Sequence, residues 1–293
     1  MRWQIYGVAS LLLLSAATCD ARPETDANSP AFTKVPELAS GFRLLYTQNF
    51  AEGREKFVDW ESQHPDEPFG RVAVAASYLF EEFYHQGVLS SDFFLNEKSF
   101  LNGIDGKPDS ARMKSFQEAI QHARKLAKLR LEKDAKDPEA LFALAMSAGM
   151  ESDADMILKK QHLEALKRLK EANENAKQLL AVQPDANDAY VALGAANYII
   201  GSLSGGKRFM LWFGGIHGDK KLGMEQLRNT IEKGRYLQPY AKILLALAAR
   251  REKQNSLAQK LLLELSEEFP ESPLYAAEYA KAMGRPVPAQ MHP

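Results

Sequence analysis

The chain has 293 residues, a net charge of −1, 45% hydrophobic residues and 26% charged residues. This composition is typical of a soluble folded protein and argues against a chain that is disordered throughout. The balanced charge argues against general nucleic-acid binding, which requires a large excess of lysine and arginine. The single cysteine, Cys19, excludes a fold built on disulfides or on a cluster of thiolate metal ligands.

The N-terminus has the pattern of an export signal. A basic residue precedes an apolar run over residues 5–17, which is shorter than the ~20 residues of a membrane-spanning helix. Residues 1–19 are therefore predicted to be a signal peptide, and the protein is expected in the periplasm or anchored to a membrane facing it. Cys19 resembles the lipidated cysteine of a bacterial lipoprotein signal, although Thr18 and Ala16 depart from that pattern. Ordinary signal cleavage nearby is the alternative.

The remaining chain divides by its hydrophobic periodicity. Residues 20–34 are polar, contain two prolines and show no period, which predicts a flexible tether. Helical spacing of apolar residues then continues over 35–284, which predicts one helical domain. Residues 285–293 are predicted to be a disordered tail.

Within the helical domain, the first helix pair is predicted from Val35 to Pro65. A helix from Pro68 to about His85 is followed by a long insertion, 86–108, and by a helix over 110–133 with Ala119, Ala123, Leu126 and Leu129 on its buried face. The next pair begins at Asp137 and Pro138, an N-cap residue followed by an N1 proline. Its second helix is predicted over 156–182, with a buried face formed by Leu163, Leu166, Leu169, Ala172, Ala176 and Leu179.

The clearest motif begins at Pro184. Tyr190, Leu193 and Gly194 place an aromatic residue, a leucine and a small residue on one helical face, and Gly223 and Leu227 continue in the partner helix. The last pair carries Leu245, Ala246, Ala258, Leu262 and Leu265, and a final helix over 273–283 ends at Gly284.

These patterns resemble the tetratricopeptide repeat (TPR). The resemblance implies an all-α fold: a right-handed solenoid of about five TPR-like helix hairpins, with two long inter-helix insertions and a C-terminal helix that caps an open end. A further resemblance is to a turn in bacterial TPR proteins related to eukaryotic inclusion-body-clearance proteins, and it is carried by Trp212, Phe213, Gly214, Gly218, Asp219 and Gly223.

The residues do not indicate an enzyme. Gly201, Gly206 and Lys207 have the spacing of a phosphate-binding P-loop, but Arg208 stands where that loop needs Ser or Thr, and a helix precedes the glycines instead of a strand. The six histidines form no close metal-ligand pair. We therefore expect no catalysis, no cofactor and no metal.

The informative surface is the concave side that a TPR array forms with its first helices. Its residues are mainly apolar, and the apolar run 209–213 in the second insertion, 201–218, is predicted to fold over it as a lid. The alternative is that the two insertions simply bury these residues. The predicted partner-binding residues are Phe69, Val72, Leu79, Val191, Tyr198, Phe209, Trp212, Phe213, Tyr240 and Arg250.

Two functions are consistent with such a surface. The first is a non-catalytic scaffold of the bacterial envelope that binds protein partners through the concave groove. The second is a periplasmic carrier for an apolar small molecule or lipid, with the inserted loops closing the pocket. No nucleic-acid partner is expected, and membrane contact is expected only through a lipid on Cys19.

Overall fold

A computed structural model describes residues 35–203 and 217–287, and within these ranges the chain is helical without a β-strand. A π-helical turn at Ala154–Leu158 follows α7, and a 3-10 turn at Asn187–Ala189 precedes α9. The α-helices are α1 (Pro36–Tyr46), α2 (Phe50–Gln63), α3 (Pro68–His85), α4 (Ser91–Leu95), α5 (Glu97–Asn102), α6 (Ser110–Lys133), α7 (Pro138–Asp153), α8 (His162–Val182), α9 (Tyr190–Ser202), α10 (Lys220–Lys233), α11 (Gln238–Arg251), α12 (Asn255–Glu268) and α13 (Pro273–Ala282).

Local sequence signals set the helix starts. The Asp137 carboxylate accepts a hydrogen bond from the Ala140 amide at 2.9 Å, and Pro138 occupies the first turn of α7, as predicted. The carboxylate of Asp109 caps α6 through the Arg112 amide at 2.7 Å. An acidic residue at these positions satisfies amides that have no partner within the helix.

Each long helix packs against its neighbours in sequence: α1 with α2, α3 with α6, α7 with α8, α9 with α10, and α11 with α12. Glycines allow the closest approaches, as the sequence predicted. A Cβ atom on Gly194 would lie 2.9 Å from both the Gly223 carbonyl oxygen and the Leu227 side chain. The helix pair α9–α10 is therefore closer than any larger residue at 194 allows.

Replacing Gly194 with alanine should lower the free energy of unfolding by about 1–3 kcal/mol, because the added methyl group overpacks the contact with α10. Gly149 is a matched control in the middle of α7, since a Cβ atom there meets nothing within 4 Å in the described chain. Gly149→Ala should raise the stability by up to about 1 kcal/mol through helix propensity. Urea unfolding followed by far-UV circular dichroism measures both, and equal stability of the two variants would contradict this packing.

Two predicted helix faces are wrong in part. The helix α8 begins at His162, not near residue 156, because the chain first makes the π-helical turn. Leu163 therefore lies in the first turn and is 75% exposed, while Ala165 is buried and its carbonyl oxygen accepts a hydrogen bond from the Ser152 hydroxyl. On α6, Leu129 is 44% exposed, because the small residue at 127 continues the buried stripe instead.

The two ends of the helical domain meet. The Val35 amide donates a hydrogen bond to the Tyr236 hydroxyl at 2.6 Å, and the Tyr46 hydroxyl donates to the Tyr236 carbonyl oxygen at 3.0 Å. Arg43 pairs with Glu271 at 3.0 Å. Helix α1 is thus covered by the segments that precede α11 and α13, instead of ending the array at a free surface.

The first insertion also joins the two ends. It contains the short helices α4 and α5, and α4 packs against α11. The Arg251 guanidinium donates to the Phe94 carbonyl oxygen at 2.6 Å, and Lys281 of α13 pairs with Asp92 at 2.6 Å. The prediction that the last helix caps an open end is therefore wrong, because α13 contacts the insertion between α3 and α6.

An aromatic cluster fills the space between these ends. Phe42 contacts Phe57, Phe69 and Tyr236 with ring centroids 5.1, 5.9 and 5.4 Å apart. Phe69 also contacts Phe142, at 5.2 Å, and Tyr236, at 5.5 Å. Because these rings come from α1, α2, α3, α7 and the segment that precedes α11, one core joins the N-terminal and C-terminal helices.

Candidate functional site

Four of the predicted partner-binding residues lie in the hydrophobic core. Phe69 is 8% exposed, Val72 2%, Leu79 0% and Val191 4%. We predicted that they line an accessible concave surface, but their side chains pack inside the fold, where the Phe69 ring contacts the Tyr236 ring. In the described structure these four side chains stabilise the fold and offer little surface to a partner.

Two more of the predicted residues are half-buried and make polar contacts within the fold. The Tyr198 hydroxyl lies 3.3 Å from the Ala248 carbonyl oxygen and 3.2 Å from the Glu252 carboxylate. Burial, with the negative charge of Glu252 second, raises the pKa of Tyr198 to about 12. Arg250 contacts the Ser91 hydroxyl and lies 3.7 Å from Glu278, so it joins α11 to α4 and α13.

The remaining predicted site residues cannot be placed in the fold. Phe209, Trp212, Phe213 and the lipidation candidate Cys19 lie outside the described residues, as does most of the P-loop-like segment. Tyr240 is described, and its ring contacts Phe80 of α3.

Helix α7 presents a half-buried face with free space beside it. Phe142, Met146, Gly149 and Asp153 recur at helical spacing along one side of the helix. Phe142 is buried against Phe69, whereas the next three residues are half-buried. A Cβ atom on Gly149 would meet no atom of the described chain within 4 Å, so the described residues leave space beside this helical turn.

Helix α3 packs against α7 and also contacts α11. Phe80 of α3 and Tyr240 of α11 contact each other edge to face, with ring centroids 5.6 Å apart, and both are half-buried. Burial raises the pKa of Tyr240, and the negative charge of Asp153 raises it further. We give the name α7 recess to the half-buried side of α7 at Met146, Gly149 and Asp153 together with these two aromatic residues.

Asp153 is the chemically distinctive group of the α7 recess. Burial alone raises its pKa to about 7, since no cation near it offsets the loss of water. No hydrogen bond or ion pair joins its carboxyl to another residue in the described ranges. As a residue, Asp153 is nevertheless half-buried and keeps part of its surface accessible.

The acidic neighbours of Asp153 in sequence have partners elsewhere. Glu151 pairs with Arg124 at 3.0 Å, and Asp155 pairs with Lys159 at 2.8 Å. The sequence analysis did not single out Gly149 or Asp153. The available signal was their position: both lie on the same helical face as Phe142 and Met146, in an otherwise apolar helix.

A second cleft, lined by Phe142, Asp188 and Arg235, has a structural role. The Asp188 carboxylate accepts hydrogen bonds from the Arg235 and Leu237 amides at 3.0 and 3.1 Å through one oxygen. Its other oxygen accepts from the Tyr236 amide at 3.2 Å. All of these donors belong to the backbone that leads into α11, so the carboxylate is fully used within the fold.

Comparison with protein-family models gives no match, and comparison with curated proteins gives none either. Among the described helices, none combines the length and the apolar character needed to cross a bilayer. Within residues 35–203 and 217–287, no three His, Cys, Asp or Glu side chains gather closely enough to hold a metal ion.

Proposed function

We propose that this chain is a non-catalytic binding protein of the bacterial envelope that holds a small, mainly apolar ligand in the α7 recess. One observation carries the proposal: a Cβ atom on Gly149 would meet no atom of the described chain within 4 Å, and the α7 recess combines the half-buried apolar side chains of Phe80 and Met146 with two polar groups. Small-molecule sites in proteins commonly combine an apolar lining with a few polar groups that fix orientation.

The protein-binding scaffold is less well supported. It depended on an open concave groove, and four of the residues expected there, led by Phe69 and Leu79, are core residues. Contacts between Tyr46 and Tyr236, and between α4 and α11, also join the two ends of the helical domain. A scaffold role would therefore need another surface.

We also propose that the helices form a TPR-type array. The order of packing, in which each helix contacts the next and close glycine contacts join α1 to α2 and α9 to α10, supports that arrangement. Contacts between the two ends would then close the array around its inner side. Export through the segment 1–19, with lipidation of Cys19 or ordinary cleavage, belongs to the same proposal and is supported by the sequence pattern.

Filling the α7 recess should abolish ligand binding. The change is Gly149→Leu, which places an isobutyl group in the open space, and the probe is N-phenyl-1-naphthylamine, a neutral molecule that fluoresces in apolar surroundings. We expect the purified wild-type protein to bind one probe molecule and the variant to bind at least about tenfold more weakly, a loss of ~1.4 kcal/mol of binding free energy.

Ala51→Leu is the matched control, because residue 51 is exposed on α2, away from the recess. It should bind the probe as the wild type does. Far-UV circular dichroism checks that both variants keep their helices. Saturable binding of equal strength in Gly149→Leu, or absence of binding in the wild type, would overturn the proposal.

A further inference from the structure

We propose that the ligand of the α7 recess is an apolar molecule with a protonated amine, and that the Asp153 carboxylate binds this amine. The inference rests on the proposed function and deepens it by naming the chemical class of the ligand. It follows from the Asp153 carboxyl, which has no hydrogen-bond or ion-pair partner within the described chain.

The first step is the availability of the carboxylate. Asp153 makes no hydrogen bond or ion pair within the described chain, although it ends an otherwise apolar helix face. A carboxylate that is removed from water and left unpaired costs free energy unless a partner supplies charge and hydrogen bonds. A ligand with a complementary group would supply both.

The second step is the charge around the recess. Several charged side chains of the elements near Asp153 are paired away from it. Glu81 and Glu82 of α3 pair with Arg112, and Glu151 of α7 pairs with Arg124 of α6. Arg168 pairs with Glu171 of α8, and Lys242 of α11 pairs with Glu268. Tyr198 of α9 lies against Glu252. Asp153 thus gives the recess one uncompensated acidic group, with the Tyr240 phenol as its polar neighbour.

The third step is the choice of ligand head group. An ammonium group both pairs with the carboxylate charge and donates hydrogen bonds to it, and such charge-assisted bonds are about twice as strong as neutral ones. An alcohol gives only a neutral donor, and a second carboxylate is repelled. The walls at Phe80 and Met146 favour an apolar body. The geometry therefore selects an apolar amine over an apolar alcohol or acid.

The test compares three probes that share one chain length: decylamine, decanol and decanoic acid, each measured at pH 8 by displacement of N-phenyl-1-naphthylamine. In the wild type, decylamine should bind at least about tenfold more tightly than decanol, and decanoic acid should bind most weakly. Asp153→Asn should bring decylamine to the level of decanol and leave decanol unchanged. Asp66→Asn, an exposed acid-to-amide control, should keep the wild-type order.

A second measurement uses only the wild-type protein. Because burial raises the pKa of Asp153 to about 7, lowering the pH from 8 to 5 should protonate the carboxyl and weaken decylamine binding at least about tenfold, while decanol binding stays constant.

The outcomes separate the two proposals. An amine preference that survives Asp153→Asn, or that does not change with pH, would overturn this inference while leaving ligand binding in place. Failure of all three probes to bind the wild type would overturn the proposed function as well. Loss of all three probes in Gly149→Leu, together with selective loss of decylamine in Asp153→Asn, would support both.

Discussion

Replacing Asp188 with alanine should lower the free energy of unfolding by about 3–5 kcal/mol. The carboxylate accepts hydrogen bonds from the Arg235, Tyr236 and Leu237 amides at 3.0 to 3.2 Å, and it is only 5% exposed. Alanine leaves three buried amides without an acceptor, and each such donor costs about 1–3 kcal/mol unless water reaches it. Urea unfolding at pH 7, followed by far-UV circular dichroism, measures the loss.

The size of this effect follows from what the backbone at 235–237 supports. Tyr236 is 4% exposed and contacts both Phe42 and Phe69, and its hydroxyl accepts a hydrogen bond from the Val35 amide. Asp188 therefore fixes the segment through which the last helices pack against the first ones. Since whole domains are stable by only about 5–15 kcal/mol, this variant should lose a large fraction of its stability.

Two neighbouring substitutions separate the hydrogen bonds from the charge. Asp188→Asn keeps one acceptor oxygen and should give an intermediate loss, because the second oxygen that receives the Tyr236 amide is replaced by an NH2 group. Asp185→Ala removes a mostly exposed carboxylate 3.5 Å from Arg235 and should cost at most about 1 kcal/mol. A loss below about 1 kcal/mol in Asp188→Ala would show that the amides find other acceptors.

The sequence predicted the local structure well, because its signals are local. The capping residues Asp109 and Asp137, the N1 prolines and the glycine contacts each involve residues that are close in sequence or in successive helices. Helix α6 begins and ends where the periodicity placed it, at Ser110 and Lys133. The order of helix pairs could likewise be predicted, since each packs against its neighbours.

The accessible surface could not be predicted in the same way. Whether Phe69 faces a groove or a core depends on contacts such as that of Val35 with Tyr236, which are 201 residues apart. No periodicity encodes that meeting of the ends, because both ends show the same amphipathic pattern as the middle. The polar residues at the end of α7 gave no useful signal either: Glu-Ser-Asp is typical of a solvated helix end, yet Asp153 is half-buried and burial raises the pKa of its carboxyl.

Substituting Asp153 with asparagine should stabilise the protein at pH 8 by about 2–4 kcal/mol. Burial raises the pKa of the Asp153 carboxyl from 3.8 to about 7, so the folded state binds this proton more tightly than the unfolded state does. Ionisation of the group therefore destabilises the fold progressively between pH 4 and 7, and the full cost is present above pH 7. Asparagine has no such ionisation.

The stability difference between Asp153→Asn and the wild type should accordingly be small at pH 4, grow through the window from pH 4 to 7, and then remain constant. All other titrating groups are shared and cancel in this difference. Asp109→Asn is a control of opposite sign, because the Arg112 amide lowers the pKa of that exposed N-cap carboxyl. The ionised Asp109 carboxylate stabilises the fold at neutral pH, and this stabilisation is lost on acidification. Asp109→Asn should therefore be less stable than the wild type at pH 8.

A pH-independent difference, or an Asp153→Asn variant that is less stable at pH 8, would mean that the carboxylate has a stabilising partner in solution. The expected result links stability to binding. The same substitution that strengthens the fold should abolish the preference for amines, as happens where a binding group is kept at a cost in stability. Saturating decylamine should then raise the unfolding midpoint of the wild type more than that of Asp153→Asn, because only the wild type gains a charged partner in the α7 recess.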